Sequence, residues 1–258
     1  MKLNRRHTIA LGVSALAAAK LGFPSIAAAQ TDGGDAYALE TGQVIIHPVS
    51  HASFVMELPD RVIYVDPVGG AASYEGMPEA DLILITHEHG DHYDAETLNA
   101  IVGENTKLIT NPAVFEMLGE DLKSRASSMA NGDSQDVDGI QIEAIPAYNT
   151  TEDRLQYHPQ GRDNGYVLTT GGKRIYIAGD TEDIPEMRAL EDIYIAFVPM
   201  NLPYTMTVDQ AASAVAEFEP EHVYPYHYRD SDVEAFAEQV AASNASTKVV
   251  MGGWYEKA

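Results

Sequence analysis

Cysteine is absent from the 258-residue chain. Its absence excludes disulfide stapling, thiolate metal ligands and a cysteine nucleophile. Bases are scarce: 16 Lys and Arg stand against 39 Asp and Glu, a formal net charge of −23. Phosphate backbones and anionic lipid surfaces are bound by clustered cations, so an acidic chain is a poor partner for nucleic acid or membrane. A Gly-x-Ser-x-Gly elbow is missing, and so is a phosphate-cradling glycine loop. That argues against the usual serine hydrolase and nucleotide-binding arrangements. No apolar run reaches the roughly 20 residues of a membrane span. What remains is an ordinary globular composition, 45% hydrophobic and 21% charged, with enough chain for one large domain and a sizeable core.

Residues 1–29 read as an export signal outside the fold. Lys2, Arg5 and Arg6 open it, residues 9–19 are apolar and uncharged, and Ala27-Ala28-Ala29 before Gln30 is a small-residue cleavage signature. The Arg5-Arg6 pair points to the twin-arginine route, which exports folded proteins. An ordinary secretory signal and an uncleaved anchor are the alternatives. Cleavage would delete Lys2, Arg5, Arg6 and Lys20 and no acid, leaving a still more acidic chain with no stable membrane insertion. A periplasmic or secreted destination oxidises thiols, and a chain without any is compatible with it.

Residues 30–42 are polar and glycine-rich and read as a flexible leader, ahead of one domain over 43–258. Runs at 43–49, 53–58 and 61–66 read as strands, the last two joined by Pro59-Asp60 as a hairpin. Residues 81–86 form an unbroken apolar run of the kind buried on both faces. A helix is expected over 94–102, a strand over 107–110, and a helix from Pro112 to Leu118. Strands follow at 140–145, 166–170, 174–178, 193–198, 222–226 and 248–251, with Gly171-Gly172 as a tight hairpin turn. Helices are expected over 207–218 and 231–240. In the first of these, Thr207 and Gln210 have capping-box spacing, and Val208, Ala211, Val215 and Phe218 share a face. Strands that meander and then alternate with helices, in two halves, predict two packed sheets with helices outside.

The densest chemistry lies in Thr86-His87-Glu88-His89-Gly90-Asp91-His92, just past the buried run. Residues two apart on a strand point the same way, so His87 and His89 project together. Gly90 permits a sharp turn that brings Asp91 and His92 round from the other side. Imidazoles and a carboxylate at this spacing suit a pair of divalent ions. The alternative, a polar loop with titrating histidines, crowds costly side chains together without compensation. Asp180 follows Gly179 after a strand. It is a metal-bridging candidate, though alone it could cap a helix. His227 follows the strand 222–226 and reads as a ligand over a packed core histidine. Asp66 is placed to orient a ligand histidine. His51 is a candidate for lining a substrate pocket or for a structural hydrogen bond.

These segments resemble the metallo-β-lactamase superfamily. The resemblance rests on His87-x-His89-x-Asp91-His92, Gly179-Asp180-Thr181 and His227. It covers nearly all of 43–230. His51-Ala52-Ser53-Phe54, Asp66-Pro67 and Tyr204-Thr205-Met206 further resemble a branch of small hydrolases that includes ascorbate-6-phosphate lactonase. The resemblance implies an α/β fold of four layers, a sandwich with two mixed sheets face to face and helices outside. It implies metal ligands at His87, His89, Asp91, His92, Asp180 and His227, holding two Zn²⁺, with Mn²⁺ or Fe²⁺ also fitting an N and O ligand set.

One position departs from the family. Where another histidine ligand is expected, the chain reads Pro146-Ala147-Tyr148-Asn149. Either His158, in Tyr157-His158-Pro159, substitutes as ligand, or one ion has only His87, His89 and Asp180. Otherwise Asn149 and His158, with His51, are candidates to contact substrate. The implied chemistry is hydrolysis of a lactone or related ester by a metal-activated hydroxide. Asp91 and Asp180 take part, and Tyr148, Tyr204 or His158 serves as proton donor. Arg154, Arg162 and Arg229 are the cations available to an anionic small-molecule substrate. A phosphodiester or amide hydrolase and a non-catalytic metal-binding protein, the latter motivated by Asn149, are the competing readings.

Overall fold

The computed structural model describes residues 29–31, 33–243 and 246–255. Residues 1–28 of the expected export signal lie outside them. The first half of the chain builds one sheet. It runs β1 (Ala29–Thr31), β2 (Gly34–Leu39), β3 (Gly42–Ser50), β4 (Ser53–Glu57), β5 (Val62–Val65), β6 (Leu82–Ile85), β7 (Lys107–Thr110) and β8 (Ala126–Ser128), neighbours in space as in sequence. The pairs up to β5 are antiparallel, and those from β5 to β8 are parallel. Parallel strands need crossovers, and α1 (Ala95–Ile101) and α2 (Pro112–Met117) supply them, with a single turn, α3 (Glu120–Lys123), before β8. Asp94 caps α1 by accepting the Glu96 N–H, and Asn111 caps α2 ahead of Pro112.

The second half repeats the scheme. β9 (Ser134–Val137), β10 (Ile140–Ala147), β11 (Asp163–Thr170) and β12 (Lys173–Ile177) meander antiparallel. β13 (Ile193–Pro199), β14 (His222–Tyr226) and β15 (Lys248–Val249) then add in parallel. Their crossovers carry α4 (Pro185–Arg188), α5 (Val208–Phe218) and α6 (Val233–Ser243). Thr207 and Gln210 form the expected capping box on α5.

Three apolar layers separate the elements. Between the sheets lie Ile46, Phe54, Ile63, Phe197, Tyr224, Tyr226 and Trp254. Phe54 of β4 stacks on Phe197 of β13 at 4.1 Å across that layer. A second layer joins the first sheet to α1 and α2 through Ile83, Ile85, Leu98 and Val114. The third joins the second sheet to α4, α5 and α6 through Val167, Met187, Val215 and Phe236. The result is the four-layer sandwich anticipated from the alternation of elements.

The expected flexible leader over 30–42 is corrected: residues 34–39 are β2, paired with β3 through five registered positions from Asp35 to Leu39. Its alternate residues Tyr37 and Leu39 are buried between the sheets. Polar and glycine-rich composition hid a strand whose only large apolar side chains, Tyr37 and Leu39, share one face. The polar edge strands β8 and β9 escaped sequence reading for a similar reason.

Candidate metal centre

The parallel strands deliver their carboxyl ends to one rim of the sandwich, and the loops there hold the polar groups. β6 leads into Thr86–His92, β10 into the loop through His158, β12 into Asp180, and β14 into His227. The turn between β3 and β4 adds His51. Backbone constraint is concentrated here: His51, Asp66 and His227 have φ of 50°, 44° and 47°. Such left-handed values in residues with a Cβ recur at functional sites. Gly179, at φ 65°, lets the end of β12 approach β11. A Cβ there would stand 2.7 Å from the Asn164 carbonyl oxygen.

Three groups of donor atoms converge, each with members within 4.8 Å of one another: His87, His89, His158 and Asp180; His92, Asp180 and His227; His51, Asp91 and His227. Asp180 connects the first two. Its Oδ2 lies 3.9 Å from His87 Nε2, 3.4 Å from His158 Nε2 and 3.2 Å from His227 Nε2, and its Oδ1 lies 3.3 Å from His92 Nε2. His87 Nε2 faces His89 Nδ1 at 3.1 Å. Asp91 Oδ2 lies 3.5 Å from His227 Nε2 and 3.2 Å from His51 Nε2. Ligands about 2.0–2.2 Å from a tetrahedral ion stand about 3.3–3.6 Å apart. The Asp180 spacings to His92 and His158 and the Asp91 spacing to His227 fall in that range, and the Asp180 to His227 spacing of 3.2 Å lies just below it.

Buried atoms without partners provide the test of fit. His92 Nε2, His158 Nε2, His227 Nε2 and Asp180 Oδ1 are buried and hydrogen-bonded to nothing among the described residues. Each such atom costs on the order of 1–3 kcal/mol unless something satisfies it. The opposite ring nitrogens of His92 and His158 are held, whereas His227 Nδ1 is buried without a partner as well. His92 Nδ1 lies 2.8 Å from Asp66 Oδ2, and His158 Nδ1 lies 2.9 Å from Asp163 Oδ2. Thr86 Oγ1 stands 3.0 Å from His87 Nδ1 and donates to Asp66 Oδ2. An imidazole that gives its Nδ1 proton to a carboxylate offers a bare Nε2 to a metal. The donor set therefore fits divalent cations.

Electrostatics follow the same geometry. Burial pushes the Asp180 carboxyl up, but the His227 and His92 imidazoles outweigh it and hold it well below the carboxylate range. Burial also works to raise Asp91, and contacts with His227 and His51 reverse it to a net lowering. His87 is driven well below the ordinary imidazole value by burial and by neighbouring His92, and His89 is lowered by burial and by His158. Burial opposes protonation of His92, yet Asp180 and Asp66 carry it well above the ordinary value.

Two candidates are corrected. Tyr148, expected as a proton donor, turns away: its hydroxyl donates to Glu186 Oε2 at 3.0 Å, and its ring packs in the layer behind the second sheet. Only its backbone meets the site segment, through Thr181 and Glu182. Asn149, expected to touch substrate, is buried and fastens the loop that carries His158. Its Nδ2 donates to the carbonyls of Arg154 and Tyr204, and its N–H to that of His158. His158 stands in the donor cluster, and His51 joins Asp91 and His227 in theirs. These two positions differ from plain substrate contact. Asp91, His89, His158, Asp180 and His227 also line a cavity of about 660 Å³, with Tyr157, Asn201, Leu202, Pro203, Tyr204, Arg229 and Asp230 completing its walls. Of the arginines, Arg154 pairs with Glu182 and Arg162 with Asp163 and Glu88, so Arg229 alone of the three reaches the cavity.

Sequence reading missed Asp163, Glu182 and Tyr255. Asp163 orients His158 from the start of β11. Glu182 accepts the N–H and hydroxyl of both Thr150 and Thr151. None of the three lies in a local motif, so only the folded chain pairs them with their partners.

Comparison with known proteins follows this geometry. A family model described as a beta-lactamase superfamily domain matches residues 46–227. A UPF0173 metal-dependent hydrolase of Pyrococcus abyssi is 30% identical over 207 residues, 74% of this chain and 90% of that protein. One from Pelotomaculum thermopropionicum is 30% identical over 225 residues, 80% of this chain and 96% of that protein. Among solved structures, a protein assigned as a metal-dependent hydrolase from Parabacteroides distasonis is 43% identical with a TM-score of 0.78, covering 85% of this chain and 97% of that one. The metallo hydrolase Igni18 from Ignicoccus hospitalis shares the fold at 24% identity and a TM-score of 0.67, covering 81% of this chain and 94% of that one.

Proposed function

We propose, from the premise that the chain belongs to the β-lactamase superfamily and is a metal-dependent hydrolase of that fold, that it opens a lactone or a related small ester at a two-ion centre. The observation that carries this reading is the convergence of unpartnered buried donor atoms on one wall of an open cavity. His87, His89, His158 and Asp180 would hold one ion. Asp91, His92 and His227 would hold the other, with Asp180 shared. Zn²⁺ suits this set of nitrogen and oxygen donors, and Mn²⁺ or Fe²⁺ fits it as well. Bound divalent cations would supply Lewis acidity and lower the pKa of a water.

The chain's own residues bind and orient. Leu202, Pro203 and Tyr204 give the cavity an apolar wall, and Arg229 offers a cation at the same mouth. Tyr204 faces this space where Tyr148 does not, which makes its hydroxyl the better candidate to give a proton to a leaving alkoxide. His158, held by Asp163 and grouped with His87, His89 and Asp180, would supply the ligand that Asn149 leaves wanting, which favours the catalytic reading. The choice of a lactone rests on the resemblance carried by His51-Ala52-Ser53-Phe54, Asp66-Pro67 and Tyr204-Thr205-Met206.

A panel of lactones, carboxyl esters and phosphodiesters, offered to metal-loaded protein with His89→Ala as control, tests the reading. Lactone turnover should exceed that of the control by more than about 100-fold. Lactone rates equal to the control would overturn the substrate assignment, and turnover confined to phosphodiesters would move the protein to that class. We further infer periplasmic delivery from residues 1–29. Replacing Arg5 and Arg6 together by lysine should stop export, and secretion at the normal level would count against the twin-arginine route.

A further inference from the structure

Tyr255 is remote in sequence from the histidine loops, yet its hydroxyl lies 2.6 Å from His51 Nδ1. The core brings it there. Trp254 is 1% exposed and meets Phe54 and Tyr226 edge-on between the sheets. Its carbonyl accepts the His51 N–H at 3.3 Å, and the His51 carbonyl accepts the His227 N–H at 3.0 Å. The Tyr255 ring packs against Tyr228 at 4.7 Å. The segment 254–255 is thus pinned to the rim of the donor cluster.

A phenol has one proton to give and a limited capacity to accept. The Arg229 N–H donates to the Tyr255 oxygen at 2.9 Å, and the backbone of Tyr228 is directed at the same oxygen. With its acceptor positions engaged, the phenol meets His51 as a donor. A neutral imidazole that accepts at Nδ1 carries its proton on Nε2. Nε2 is the atom 3.2 Å from Asp91 Oδ2, where an N–H donates to the carboxylate and a bare nitrogen would face another lone pair. The His227 ring, 3.8 Å away centroid to centroid, fixes the plane of His51.

The cluster of His51, Asp91 and His227 by itself leaves His51 two roles, metal ligand or hydrogen-bond donor to a ligand. We propose that Tyr255 is a positioning residue that locks His51 as the Nε2–H tautomer, so that His51 clamps Asp91 and binds no ion. The proposal rests on the two-ion reading and deepens it: Asp91, His92, Asp180 and His227 form the second donor set. Asp91 is its most exposed member, at 39% of its side chain, and is the one that needs an external hold.

The test uses the full chain with ¹⁵N-labelled histidine, metal-free and loaded with ¹¹³Cd²⁺. Two-bond proton–nitrogen correlation should show His51 protonated on Nε2 in both forms. Cadmium–nitrogen coupling should appear at His92 and His227 and not at His51. Tyr255→Phe keeps the ring on Tyr228 and removes the hydroxyl, both the proton that faces His51 and the oxygen that accepts the Arg229 N–H. It should mix the His51 tautomers and weaken one Cd²⁺ by about 10-fold in chelator competition, leaving the other unchanged. Coupling at His51, a proton on Nδ1 in the unaltered chain, or an unchanged tautomer in the variant would each overturn the proposal. If no histidine couples to cadmium the two-ion reading fails, and the metal-free spectrum still decides the tautomer.

Discussion

His158 turns Nδ1 to Asp163 at 2.9 Å and Nε2 toward Asp180 at 3.4 Å. In the sequence it is a histidine between tyrosine and proline, with no spacing that ties it to His87 and His89. Its role depends on Asp163, itself gripped by the Arg162 guanidinium through Nε and Nη2. Asp163→Asn preserves shape but replaces the charged acceptor with a neutral one. One ion should then bind 10–100-fold more weakly, a change read by chelator competition. His158→Ala should lower the metal content of purified protein by one ion per chain in elemental analysis. Unchanged content would remove His158 from the donor set. His87, His89, Asp91 and His92 were legible as a group because one short loop carries them all. Asp163 was not, because its partner is brought to it by the fold.

Glu182 governs the element that holds His158. Its Oε2 accepts from Thr150 and Thr151, its Oε1 lies 2.6 Å from Arg154 Nη2, and Arg154 also donates to the Thr205 carbonyl. The loop between β10 and β11 is long for a meander connection and has no helix of its own. Its shape is set by this buried carboxylate. Burial works to raise the Glu182 pKa, and the donated hydrogen bonds more than reverse it, so its folded value lies below the ordinary 4.5. A depressed folded pKa stabilises above the unfolded value and is lost as pH falls through the folded one. Glu182→Gln should cost about 3 kcal/mol at pH 7, because it leaves Arg154 without its charge partner. The deficit should narrow as the pH is taken below 4.5. Urea midpoints at neutral and acid pH measure both. Thr207→Ala removes the cap of α5 and should cost about 1 kcal/mol in the same assay. That capping box was legible because both its partners lie within one turn. β2, β8 and β9 were not, because edge and polar strands owe their conformation to the strand beside them.

Across the whole molecule, the rim of the sandwich gathers charge that the folded chain alone does not neutralise. An ion that binds only the folded state at 100 times its dissociation constant adds about 2.7 kcal/mol. For a chain of this size that corresponds to about 5–10 °C in melting temperature. Chelator-treated protein should melt lower by that amount, recover when Zn²⁺ is restored, and show little response in the His87→Ala variant. Calorimetry with and without chelator checks this, and equal melting temperatures would mean the cluster holds no ion in solution.

The amino-acid sequence by itself determined most strands and helices, because apolar periodicity, caps and turn residues act within a few positions. It determined the histidine and aspartate cluster after β6 for the same reason, and through what it lacks it excluded thiolate chemistry and argued against a serine-hydrolase elbow. Only the tertiary structure decided that Tyr148 turns its hydroxyl to Glu186, that Asn149 fastens the loop carrying His158, that His158 stands among the donors, and that Tyr255 reaches His51. Those outcomes depend on where a side chain points and which distant group satisfies it, and hydrogen-bond partnership between loops of two packed sheets leaves no periodic trace in the chain.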